Sequence, residues 1–264
     1  MEFVWELARA VLIQLAGVFG IFFLLGFILS KLQQATQRAY FHSVGWKGIL
    51  WTGWLGTPVH ELGHLLFAVL FGHQIRSVRW FAPNESTGEL GSVEHAYNPA
   101  SLYQRIGNFF IGAAPMIVGS IALGLLAYYM LPGGSWLLKP IPFSFAALNA
   151  VLGIGKWLFI GFISIFSFTS ISFWIFVYLT FCIASHLAPS KADQRQMWSG
   201  FGWLVAVIAI INAILLFAGV NITDTVLYST HYLGLLAVVF LYAIAVSLIH
   251  LIFASFLRLL RRQA

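Results

Sequence analysis

The chain has 264 residues, of which 60% are hydrophobic and only 8% charged, with a formal net charge of +6. Soluble domains carry about 25% charged residues, so this composition cannot cover the surface of a water-soluble fold, and the main solvent must be lipid. The 14 basic residues are scattered over loops and helix ends, which points away from nucleic acid as a partner, and the lone Cys182 excludes an internal disulfide or a Cys-based metal cage.

A membrane span needs about 20 mainly apolar residues. The first such stretch covers 4–29. Its start, Met1-Glu2-Phe3-Val4-Trp5-Glu6, has no basic flank, so it is expected to stay as a span rather than act as a secretory signal. The second covers 49–72. Residues 73–99 then change character: they carry both signs of charge, with Gly88 and Gly91 between short runs such as Ile75-Arg76-Ser77-Val78. That pattern predicts a small β-hairpin or sheet, outside the lipid or within a protein-lined cavity. A third span is expected over 106–131. Gly133-Gly134, Pro140 and Pro142 mark a loop after it, with a re-entrant or interfacial piece near 143–152. Spans four, five and six are expected over 157–184, 200–220 and 233–257. Trp51, Trp54, Trp157, Trp198 and Trp203 read as interface anchors. The expected fold is an all-α integral membrane protein of one domain, 1–264. It is a bundle of about six transmembrane helices with a β-hairpin between the second and third.

Basic residues suggest the orientation. With six spans, Lys31, Arg38, Lys47, Lys139 and Lys156 fall on one side and the other nine of the 14 on the side of the termini. Both termini are therefore expected in the cytoplasm.

Chemistry concentrates at His60-Glu61-Leu62-Gly63-His64 in the second span. Residues four apart share a helix face, so the two imidazoles can bind one metal ion, and Glu61 lies where a base could reach a water on it. Ionisable side chains in the middle of a span are costly in lipid, which favours a functional reading over a chance grouping. Catalytic zinc usually takes a third protein ligand. The candidates are Asp193 first, then His186 and His95. Asp193 follows Ser190 by three, which is also a helix-start pattern, and a cap would fix where its carboxylate points. Asn108 could bind a substrate backbone or a developing oxyanion, or could simply hydrogen-bond between helices. His73 and His95 read as loop residues, and no spacing links His231 or His250 to the metal.

These residues resemble the intramembrane site-2 protease class of zinc metalloproteases. The matching pieces are Pro58-Val59-His60-Glu61-Leu62-Gly63-His64, the β-like segment ending Gly91-Ser92-Val93-Glu94-His95, the run Gly107-Asn108-Phe109-Phe110-Ile111-Gly112-Ala113-Ala114-Pro115, and a late aspartate. Together they cover 49–200. The resemblance implies zinc (Zn2+) held by His60, His64 and Asp193, with Glu61 as base. The class usually sets its aspartate in an Asn-Pro…Asp-Gly context. Here it stands in Ala188-Pro189-Ser190-Lys191-Ala192-Asp193, which marks a divergent branch. The expected activity is a zinc endopeptidase acting on membrane-embedded or membrane-proximal peptide, in a bacterial cytoplasmic membrane. The rival is a non-proteolytic scaffold, regulator or transporter component that keeps a metal site.

Overall fold

The computed structural model describes residues 1–130, 171–220 and 223–263. The expected re-entrant piece at 143–152, the first part of the fourth span, Trp157 and the His231 side chain lie outside them. The described residues form six helices and a two-stranded antiparallel sheet. The helices are α1 (Glu2–Ser43, with a π-helical stretch at Leu15–Gly20), α2 (Trp46–Leu70) and α3 (Leu102–Met130). They continue with α4 (Ile171–Ala184), α5 (Lys191–Phe217) and α6 (Thr223–Gln263). The strands are β1 (Gln74–Arg79) and β2 (Ser92–Ala96), in the segment where the hairpin is expected.

Four helical stretches are long and apolar enough to cross a membrane: Glu2–Ser43, Leu102–Met130, Lys191–Phe217 and Val239–Arg261. α2 is 25 residues long but is not among them, because its polar motif dilutes an otherwise apolar helix. At 42 residues, α1 would reach about 63 Å, twice the roughly 30 Å of a hydrocarbon core.

Small residues set the helix spacing around the motif. A Cβ on Gly63 would stand 3.0 Å from the Ala114 carbonyl of α3, and one on Gly112 would stand 2.5 Å from the Asp193 carbonyl of α5. Any larger side chain at either position would push backbones apart. The core beside these crossings is aromatic and aliphatic: Phe22, Phe109, Met116, Leu187 and Phe240 are buried together.

Side-chain pairs fix the helix directions. Gln14 meets Asn212, Phe23 stacks on Trp198, and Gln33 accepts from the Ala188 amide, so α1 and α5 run antiparallel. Phe22 packs on Phe240, Tyr40 hydrogen-bonds His250, and Arg261 donates to the Ser43 carbonyl, so α1 and α6 run parallel. The start of α1 and the end of α6 therefore lie at opposite ends of the described bundle. The cause is the break at 185–190. Tyr178 bonds the Trp51 carbonyl and His186 lies against Gly56, so α4 descends alongside α2. α5 then continues downward from the depth of His60 and His64 instead of turning back. α4 and α5 thus run in one direction, with the break at 185–190 between them.

In sealed membrane vesicles, Glu2→Cys and Gln263→Cys, each in a Cys182→Ser background, are expected to react with an impermeant thiol reagent from opposite sides. Labelling of both from one side would refute this arrangement.

Candidate metal centre

On α2, Gly53, Thr57, Glu61, His64 and Ala68 are buried at helical spacing, while Leu62, Leu66 and Val69 point outward. The motif's inward face meets α3 and the start of α5. There His60 Nε2 lies 3.4 Å from one Asp193 carboxylate oxygen, His64 Nε2 lies 3.2 Å from the other, and the two Nε2 atoms are 3.2 Å apart. Ligands held tetrahedrally at about 2.0–2.1 Å from a zinc-sized ion stand about 3.3 Å from one another. The spacing between the two Nε2 atoms is close to that value, and each lies at a similar distance from one oxygen of the same carboxylate. Among the described residues, His60, His64 and Asp193 form the one group of at least three metal-ligating side chains within reach of a common point.

The remaining ring nitrogens explain why the lone pairs face inward. His60 Nδ1 donates to the His186 carbonyl at 2.7 Å, and His64 Nδ1 donates to the Ile111 carbonyl at 2.9 Å. A carbonyl only accepts, so each Nδ1 carries the hydrogen and each Nε2 of a neutral ring presents a lone pair. With both rings neutral, two lone pairs and a carboxylate converge, an arrangement that a divalent cation would satisfy.

Both accepting carbonyls are free for a reason written in the chain. In an α-helix the Ile111 carbonyl would take the amide hydrogen of residue 115, but that residue is proline and has none. His186 lies in the break after α4, beyond the helical ladder. Each interruption thus supplies one orienting acceptor.

Asp193 is placed by its cap. Its amide donates to Ser190 Oγ at 3.2 Å, and its carboxylate accepts from the Ser190 amide at 2.7 Å, a reciprocal capping box at the start of α5. The same side chain is both cap and candidate ligand, and the helix N-terminus favours its negative charge.

Glu61 is 6% exposed, and no side chain among the described residues hydrogen-bonds its carboxylate. It sits one residue after His60 on the buried face. His186 contributes its carbonyl and not its ring. The ring Nδ1 is turned to the Cys182 carbonyl at 3.1 Å, outside the ligand group. His95 is also outside the group, and its Nδ1 faces His73 Nδ1 at 2.9 Å. Burial, then His73 and His64, lower the His95 pKa to about 4, and burial lowers that of His73, so both rings are neutral at ordinary pH. Asn108 is 3% exposed and accepts from Gln196 at 3.4 Å. Gln196 was not singled out from sequence, although its position three residues after Asp193 puts it near that residue's face.

The hairpin runs back along α2. Its register pairs Ile75 with His95 and Val78 with Val93, with a bulge at Arg76. A Cβ on Gly91 would stand 2.8 Å from Thr57, and one on Gly53 would stand 2.9 Å from Leu90. The hairpin therefore passes the motif and lies against α2 one to two turns before His60.

Comparison with protein-family models, with curated proteins and with solved structures gives no match.

Asp193→Ala is expected to lower Co(II) affinity by more than about 100-fold, because loss of an outer-shell partner alone costs about 10–100-fold. Pro115→Ala restores an amide hydrogen that competes for the Ile111 carbonyl, and a loss of about 10-fold is expected. Titration of each variant against a chelator reads both. Unchanged affinity in Asp193→Ala would exclude it as a ligand.

Proposed function

We propose that the protein is an intramembrane zinc endopeptidase, a divergent member of the site-2 protease class, acting on membrane-embedded or membrane-proximal peptide. The observation that carries this reading is the convergence of His60, His64 and Asp193 at 3.2–3.4 Å beside the buried Glu61, in a bundle of apolar helices. A ligand set of three protein groups suits a catalytic ion better than a structural one, which is usually closed by four. Zinc bound by these residues would polarise an amide carbonyl and make a neighbouring water acidic.

The other steps belong to the chain's own residues. Glu61 takes a proton from the attacking water, whose oxygen bonds to the carbonyl carbon. As the C–N bond breaks, the same carboxylic acid returns the proton to the leaving nitrogen, giving an amine and a carboxylic acid; the acid's proton then passes to the amine, leaving an ammonium and a carboxylate. The imidazoles stay fixed on the carbonyls of His186 and Ile111. Asn108 offers an amide hydrogen to the substrate backbone. The hairpin edge suits an extended peptide, because a strand leaves its amides accessible where a helix buries them.

In this reading the four apolar stretches, the α2 motif helix and the interrupted α4–α5 pass lie in the bilayer. The ion is then reached from water through the polar hairpin side.

Glu61→Gln is expected to remain folded and zinc-loaded while cleavage of a membrane peptide falls by about 10²–10⁴-fold, since glutamine keeps the shape but cannot take the proton. Zinc stoichiometry and peptide cleavage, measured on the same preparation, decide. Wild-type cleavage by the variant would hand the site to the scaffold or transporter reading.

A further inference from the structure

Four polar side chains outside the ligand set form a directed chain between the hairpin and the metal-bearing helices. His73, in the connection between α2 and β1, places Nε2 3.0 Å from the Gln104 backbone carbonyl. Its Nδ1 lies 2.9 Å from His95 Nδ1 on β2. His95 Nε2 lies 3.0 Å from the Gln196 side-chain amide on α5, and the same amide nitrogen lies 3.4 Å from Asn108 Oδ1 on α3.

The direction of every bond follows from the first. The Gln104 carbonyl can only accept, so His73 carries its hydrogen on Nε2 and its Nδ1 accepts. His95 must then donate from Nδ1, and its Nε2 accepts. Only the NH2 end of Gln196 can answer that lone pair, so its nitrogen, not its oxygen, faces His95. The second hydrogen of that nitrogen meets Asn108 Oδ1. Asn108 is thereby held with its oxygen toward Gln196 and its NH2 away from it, and no acceptor among the described residues takes those hydrogens. The neutrality of both rings supports this order. The chain is short and largely enclosed: His73 is 5% exposed and Asn108 is 3% exposed.

We infer that Gln196 is a positioning residue, clamped by the His73–His95 pair, whose task is to fix which face of the Asn108 amide carries donors. The placement matters because Asn108 lies one turn before Ile111, whose carbonyl orients His64, and Gln196 lies one turn after Asp193. An asparagine free to turn would present oxygen or nitrogen alternately. A locked one presents donors only, as recognition of a peptide carbonyl requires. The consequence for cleavage rests on the peptidase reading; the bond directions do not.

The first measurement needs no substrate. On the full-length, metal-loaded protein in nanodiscs, 15N spectra report which ring nitrogens of His73 and His95 are protonated, and the Asn108 side-chain amide pair is assigned by its loss in Asn108→Asp. Expected are a protonated Nδ1 and bare Nε2 on His95, and the reverse on His73. His95→Phe should shift the Asn108 amide pair although the two residues do not touch, and Gln196→Met should do the same should His95→Phe fail to fold. A protonated Nε2 on His95, or an Asn108 pair that neither variant moves, would overturn the inference.

The second measurement is cleavage. Gln196→Glu accepts only, so it should turn the Asn108 amide around. It is expected to lower kcat about as much as Asn108→Ala, with metal content unchanged, and to add no further loss in the Asn108→Ala background. Independent, multiplying losses would show that Gln196 does not act through Asn108. If the wild-type protein cleaves no peptide while the spectra are as expected, the peptidase reading fails and the relay stands.

Discussion

Everything in the candidate centre depends on two hydrogen bonds that leave the ligand face of each imidazole bare. A histidine in an apolar bundle has two nitrogens and can turn either one inward. Tying Nδ1–H to a backbone carbonyl removes that freedom, and a carbonyl left without its helix amide is a ready partner. Pro115 opens one such place in α3, and the break at 185–190 opens the other. Helix interruptions are tolerated inside an apolar bundle only where protein groups satisfy the backbone they release. Here the partners of the released carbonyls are the rings whose orientation the centre requires.

The break serves a second purpose. By stopping α4 and restarting α5 at the depth of His60 and His64, it delivers a helix N-terminus to the middle of the bundle. A carboxylate buried there is expensive unless it is paired. Asp193 has two compensations in the capping box and the helix dipole, and the candidate cation site would add a third. The close approach of Gly112 to the Asp193 backbone holds α5 against α3, so the aspartate cannot drift without the two helices separating.

The hairpin belongs to the same construction. It lies along α2, with Leu90 and Gly91 seated against Gly53 and Thr57. The His73–His95 pair at its base connects through Gln196 to α5 and α3. A movement of the hairpin would therefore be felt one turn from the aspartate and one turn from the carbonyl that orients His64.

The sequence by itself determined the apolar helical character, the hairpin segment and the His60–Glu61–His64 face. Each follows from short-range periodicity: hydropathy over about 20 residues, alternation over a few, and the four-residue return of a helix. Asp193 was reachable too, because a cap pattern beside a rare acid is local information. Only the tertiary structure decided that the chain ends lie apart, that His186 gives its carbonyl and not its ring, and that His73, His95 and Gln196 join in one chain with Asn108. A count of basic residues assumes that every helix turns back, and nothing local shows that α5 continues in the direction of α4. The relay joins residues 22, 101 and 88 positions apart in sequence, and such pairings are set by packing. Pro115 marks the boundary between the two kinds of knowledge. The sequence shows that it frees a carbonyl, and only the packing of α2 on α3 shows that His64 takes it.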